Sequence, residues 1–259
     1  MYSVMMITLR EGIEAFLIVA IASTYLHKTS QSLLIGALRS GTAVAVVLSI
    51  ALGVVLARVG AMTPIWEAWL ALAAAVLVIG CTVHMLRMGK HMGKEIRQKL
   101  DAANTGTRKA AWWAVFAFAV LMIGREGIEA ATMVASLSTQ TDMEHLVLGG
   151  ILGVILAGIM AFLWAKFGHR INLSRFFQVT AVFMVMFSVQ LVIYAFHEYT
   201  EAGALPGIDN SYWHNATEPY GPEGQYGAWL SYGLVLIPGL FLLISGLRDS
   251  FKRTKEIAA

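Results

Sequence analysis

Apolar runs of about 20 residues recur along almost the whole chain, and no other feature restricts the possible folds as much. Wound as a helix rising about 1.5 Å per residue, a run of that length matches the hydrocarbon thickness of a bilayer. Candidate spans fall at about 3–26, 33–57, 66–88, 111–137, 145–167, 175–198 and 227–247. Only 14% of the 259 residues are charged, against about a quarter in a soluble domain, so a water-facing surface could not be covered. The expected architecture is an all-α integral membrane protein with seven transmembrane helices in one domain, residues 1–259. The first run starts without an early Lys or Arg and is interrupted by Arg10, Glu11 and Glu14. It reads as a retained span, not a cleaved secretory signal.

The charges between the runs are sorted by sign. Lys90, Lys94, Arg97, Lys99, Arg108 and Lys109 separate the third and fourth spans. Lys166, His169, Arg170 and Arg175 join the fifth and sixth, and Arg248, Lys252, Arg253 and Lys255 follow the seventh. The connection between the fourth and fifth carries Asp142 and Glu144, and the sixth–seventh loop carries Asp209, Glu218 and Glu223 without a Lys or Arg. Basic loops stay on the cytoplasmic side, so the N-terminus is expected outside and the C-terminus inside. Arg58 is a weak exception. Sorting of this kind orients a membrane protein and gives no reason to expect nucleic-acid binding. The lone Cys81 excludes an intramolecular disulfide and reads as a small core residue.

The chain also repeats itself. Arg10-Glu-Gly-Ile-Glu-Ala15 recurs letter for letter as Arg125-Glu-Gly-Ile-Glu-Ala130, 115 positions later. His84 and His197, near the ends of the third and sixth spans, are 113 positions apart. Two three-span units, about 1–90 and 111–203, plus a seventh helix at about 227–247, account for the pattern. An odd number of spans per unit turns the second copy upside down, the inverted-repeat plan that places a transporter's site near the midplane.

Within each hexamer the first, second and fifth residues fall at about 0°, 100° and 40° around a helix. Arg10, Glu11 and Glu14 therefore share one side, as do Arg125, Glu126 and Glu129. Each such charge at a helix centre costs roughly 2.5–3.5 kcal/mol on the insertion scale, so all six are expected to face the bundle interior. Arg10–Glu14 and Arg125–Glu129 pairs alone could make the helices insertable, but that leaves Glu11 and Glu126 unexplained. Four carboxylates from two antiparallel helices can surround a hard cation such as Fe³⁺, with the two arginines balancing charge while the site is empty. Gly12 and Gly127 would admit a close neighbouring helix.

Two further groups stand out. His197, Glu198 and Glu201 at the end of the sixth span form a candidate entry site, set against a solvated helix cap. H-E-x-x-E lacks the second histidine of the zinc-protease motif. His84, Met85, Met88, His91 and Met92 at the end of the third span could be a soft exit site, although an interfacial helix end with gap-filling methionines explains them as well. A haem subunit using His27, His84, His91 and His197 is disfavoured, since the two within spans lie at opposite membrane faces. Trp66, Trp69, Trp112, Trp113, Tyr212 and Trp213 sit where interface belts are expected.

The doubled R-E-x-x-E in the first and fourth of seven spans, with the His197-Glu198-x-x-Glu201-Ala-Gly run, resembles the oxidase-dependent high-affinity iron permease family in a compact bacterial form. The resemblance implies a non-enzymatic inner-membrane permease for iron, expected as ferric iron, with Glu11, Glu14, Glu126 and Glu129 required. It implies periplasmic iron-oxidising or iron-binding partners, no cofactor other than iron as cargo, and leaves an oligomer open. A carrier of another divalent cation such as Mn²⁺, or a proton-coupled exchanger, is the alternative.

Overall fold

A computed structural model describes residues 1–61, 63–88, 92–103, 107–139, 141–167, 173–220 and 226. Among these residues no strand occurs. Eight α-helices follow in order: α1 (Tyr2–Lys28), α2 (Ile35–Gly60), α3 (Pro64–Met88), α4 (Met92–Ala103), α5 (Arg108–Leu137), α6 (Met143–Phe167), α7 (Leu173–Glu201) and α8 (Asn210–Thr217). Each of the first six expected runs is a helix, displaced by a few residues at its ends. The seventh, at about 227–247, lies outside the described residues. Helix starts follow local chemistry. Pro64 opens α3, where its missing N–H costs nothing. Thr107 accepts a hydrogen bond from Ala110 N at 3.4 Å, and Asp209 accepts one from Tyr212 N at 3.0 Å.

Four helical segments among the described residues are long and apolar enough to cross a membrane: Ser32–Gly60, Pro64–Leu86, Met143–Leu163 and Thr180–Glu201. The chain is thus a multi-pass membrane protein. Val47, Ile50 and Val54 on α2, and Ile151, Val154 and Ile155 on α6, stand at least half exposed, an arrangement suited to lipid rather than water. The mid-helix charges keep α1 and α5 out of that set, and these two lie innermost.

The helices pack in pairs: α1 against α6, α2 against α5, and α3 against α7, with α1 meeting α5 at the centre. Contacts at matched ends make α1 and α6 parallel, and likewise α2 and α5. Close backbone approach explains the tightness. A methyl group built on Gly12 would stand 2.8 Å from Ala157 Cβ, and one on Gly149 would stand 2.6 Å from Met1 O and 3.2 Å from Val4 Cβ. The α2–α5 pair makes the same contacts: Gly127 against Ser49, and Gly41 against Phe116 O and Ala119 Cβ, both at 2.7 Å. Every α1 residue named is 115 positions before its α5 counterpart, and every α2 residue 108 before its α6 counterpart.

A short helix, α4, occupies the basic stretch that sequence alone reads as a linker. Its Ile96 and Leu100 are fully buried in a cluster with Leu26 of α1 and Ala111 and Val115 of α5. Its other face is polar, with Lys99 Nζ 2.8 Å from Glu95. That hydrogen bond from Lys99 holds the Glu95 carboxyl below its usual range. Tyr25 of α1 donates a hydrogen bond to Asp101 of α4. Thus α4 closes the end where α1 finishes and α5 begins.

Candidate functional site

The α1–α5 crossing brings both hexamers together. Small residues around it, Gly12 and Gly127 among them, let the flanking helices approach and leave the charged sides of α1 and α5 facing one another. Arg10, Glu11, Glu14, Glu126 and Glu129 are all buried. Glu11, Glu126 and Glu129 each offer a carboxylate oxygen, and these oxygens lie within 4.8 Å of one another. Glu14 is outside that trio but within electrostatic range of Glu126 and Glu129.

Arginine pairing differs between the copies. Arg10 Nη1 donates to Glu11 Oε1 at 2.5 Å, and its Nη2 stands 3.3 Å from Glu14 Oε1. Arg125 Nε donates to Glu129 Oε1 at 3.0 Å and stands 3.6 Å from Glu126 Oε1. Even so, Glu11 Oε2 and Glu126 Oε2 are buried without a hydrogen-bond partner, and Glu14 Oε1 has only its 3.3 Å ion pair with Arg10. Buried carboxylate oxygens are costly to leave unpaired, and the oxygens that Glu11, Glu126 and Glu129 bring within 4.8 Å of one another form a hard-donor cage for a cation. With all four glutamates and both arginines ionised, the cage carries two net negative charges.

Cys81 is more than core filler. It lies on α3 beside the Glu129 carboxylate. Nearby, His84 is exposed, and Arg125 and His84 both lie within electrostatic reach of Glu95 on α4. The side chains of Met88, His91 and Met92 lie outside the described residues, so the candidate exit group reduces here to His84 and Met85. Toward the opposite end, the cage meets an apolar layer that includes Val78, Met133, Phe187 and Leu191, all about 1% exposed or less.

Beyond that layer the α7 group divides in two. Glu198 is buried and turns toward Tyr194 and Glu67. Tyr194 donates to Glu67 of α3 and stands 3.5 Å from the Thr139 hydroxyl after α5. His197 and Glu201 instead face α8, where His214 joins them, with one ligand atom of each within 4.8 Å of the others. Sequence reasoning missed Glu67, Tyr194 and His214. A carboxylate in a helix's first turn, such as Glu67, reads as ordinary capping. The one available signal was that Glu67 and Cys81 are about four turns apart on α3, hence on one face.

No solved structure matches the chain. Relatives include proteins named Ferrous iron permease EfeU. The one from Escherichia coli O6:K15:H31 (strain 536 / UPEC) is 28% identical over 209 residues, covering 78% of this chain and 75% of that protein. The one from Yersinia pestis is 28% identical over 211 residues, covering 78% and 73%. Across residues 1–255 the chain matches the profile of the Iron permease FTR1 family, and it belongs to that family.

Proposed function

We propose that the chain moves iron across the cytoplasmic membrane on the carboxylates of Glu11, Glu14, Glu126 and Glu129, with Arg10 and Arg125 as exchangeable counter-ions. The observation that carries this reading is the cage between α1 and α5, where Glu11, Glu126 and Glu129 bring carboxylate oxygens within 4.8 Å of one another and Glu11 Oε2 and Glu126 Oε2 are buried without a hydrogen-bond partner. A cation arriving there replaces lost hydration with oxygen ligands and releases the arginines from part of their pairing. No cofactor is needed beyond the cargo itself.

The finer architecture goes with this reading: one domain over 1–259, seven spans, N-terminus outside, C-terminus inside, and two inverted three-helix units that rock about the cage. Its support is the matching set of glycine contacts in the α1–α6 and α2–α5 pairs. On that topology, the α4 end is cytoplasmic and the α8 end faces the periplasm. The cage meets partly exposed Arg125 toward the first and a closed apolar layer toward the second, the outline of an inward-facing carrier.

Two versions of the cargo have separate grounds. Two net negative charges are cancelled by a dication, and the relatives are named for ferrous iron. An all-oxygen donor set suits Fe³⁺, the form that a periplasmic oxidase or iron-binding partner would supply. Uptake of radiolabelled iron in a transport-deficient host, with ascorbate or with a ferric chelate, separates the two. Uptake surviving Glu14→Ala with Glu129→Ala would remove the cage from the mechanism. The same charge balance suits Mn²⁺, so strong competition by excess Mn²⁺ would move the assignment to a broader divalent carrier. Uptake that depends on protein concentration in the membrane would reveal an obligate oligomer.

A further inference from the structure

We infer that His197, Glu201 and His214 form a second metal site, selective for divalent first-row cations, at the α8 end of the molecule. It is separate from the carboxylate cage and holds the ion before passage. Three observations converge on it. One ligand atom from each residue lies within 4.8 Å of the other two, although the residues come from two helices and His214 is 17 positions from His197. The His197 and His214 rings stack, with centroids 4.4 Å apart and planes 21° apart, which holds the two imidazoles side by side. His214 Nδ1 is buried and has no hydrogen-bond partner.

Thr217 completes the arrangement. Its hydroxyl donates to Trp213 O at 2.8 Å and stands 2.8 Å from His197 Nδ1. With the Thr217 proton on Trp213 O, His197 carries its own proton on Nδ1 and keeps the Nε2 lone pair for a metal. A partner that sets tautomer and ring orientation is what a metal-binding histidine requires. Asp209 caps the start of α8 and so holds His214 in register with α7.

Two imidazoles and one carboxylate leave coordination positions open and suit Fe²⁺, Mn²⁺, Co²⁺ or Zn²⁺ better than Fe³⁺. The cage contains only oxygen donors; this site is nitrogen-rich. An ion bound here would meet Glu198 and Glu67 next, both on the same side of the apolar layer. For its physiological ion the inference rests on the iron reading above, but the site can be examined without transport.

Purified full-length protein in nanodiscs would be titrated with Co²⁺, a redox-stable stand-in for Fe²⁺, by calorimetry. Wild type should bind at this site as well as at the cage. His214→Ala should weaken the α8-end binding by at least about tenfold. Glu201→Gln, a change at an exposed side chain that cannot unfold the bundle, should weaken it too. Glu129→Gln should spare it. Loss of iron uptake in Glu129→Gln with intact Co²⁺ binding at His214 would separate the two sites. Unchanged Co²⁺ affinity in both His214→Ala and Glu201→Gln overturns the inference, whatever iron uptake shows.

Discussion

Arg10 in α1 and Arg125 in α5 begin identical hexamers, yet Arg10 is 2% exposed while the side chain of Arg125 is 40% exposed. The hexamers themselves cannot account for the difference, because their six letters are the same. Packing does. Toward its own end, the α1 copy is roofed by the apolar layer that includes Val4, Ile7 and Phe187. The α5 copy opens toward Cys81, His84 and α4. A second difference runs along the same pairs. Phe16 on α1 stands where α5, 115 positions on, has Ala131. Phe16 rests 3.7 Å from a methyl built on Gly158, while beside Ala131 an apolar groove of about 750 Å³ extends along Gly53, Ala57 and Val147. Like motifs in unlike surroundings leave the carboxylate cage more exposed at one end than at the other.

The strongest test of this contrast is transport itself. Glu129→Ala, in the α5 copy, and Glu14→Ala, in the α1 copy, should each reduce radiolabelled iron uptake to background, since both copies feed one cage. Uptake retained in one variant would make the copies functionally unequal. Next comes stability. Arg10→Ala strands two buried carboxylates and should destabilise by about 3–5 kcal/mol, read as a lower melting temperature in detergent. Arg125→Ala, at a partly exposed position, should cost clearly less, and equal losses would erase the distinction. Labelling follows. In a Cys81→Ala background, Arg125→Cys should react with a membrane-impermeant thiol reagent applied from the α4 side, and Arg10→Cys should not. Gly127→Ala should then destabilise by roughly 1–3 kcal/mol through its clash with Ser49, with recovery on adding Ser49→Gly. Gly124→Ala, with nothing nearby, should be neutral. Smallest of all, Ala131→Phe makes the halves alike at that position and should shift stability by less than about 1.5 kcal/mol because the groove has room.

Most of the helical outline was legible because long apolar runs leave few alternatives, and the cage was legible because an identical charged hexamer in two apolar helices is hard to explain as padding. The remainder depended on information that periodicity does not carry. Ile96 and Leu100 are the only two branched aliphatic residues in a charged stretch, so α4 read as a loop until α1 and α5 supplied a surface for them. His214 lies in a segment rich in Gly, Pro and aromatic residues, with no regular spacing from His197, and only the fold of α8 onto α7 joins them. Glu198 was expected beside His197 and Glu201. One position of helical rotation turns it inward to Tyr194 and Glu67. Cys81 looked like filler because nothing in its own run announces the carboxylate it meets across the bundle.

The glycine contacts bear on how such a molecule could change shape. Where backbones touch, there is no slack for sliding, so α1 with α6 and α2 with α5 each behave as a stiff plank. The seam between the planks is the one lined with charge, and ion pairs can be remade in more than one arrangement at little net cost. If the planks trade postures, Arg125 becomes the sealed guanidinium and Arg10 the exposed one. The molecule would then present the reverse of its present face without inventing a single new contact.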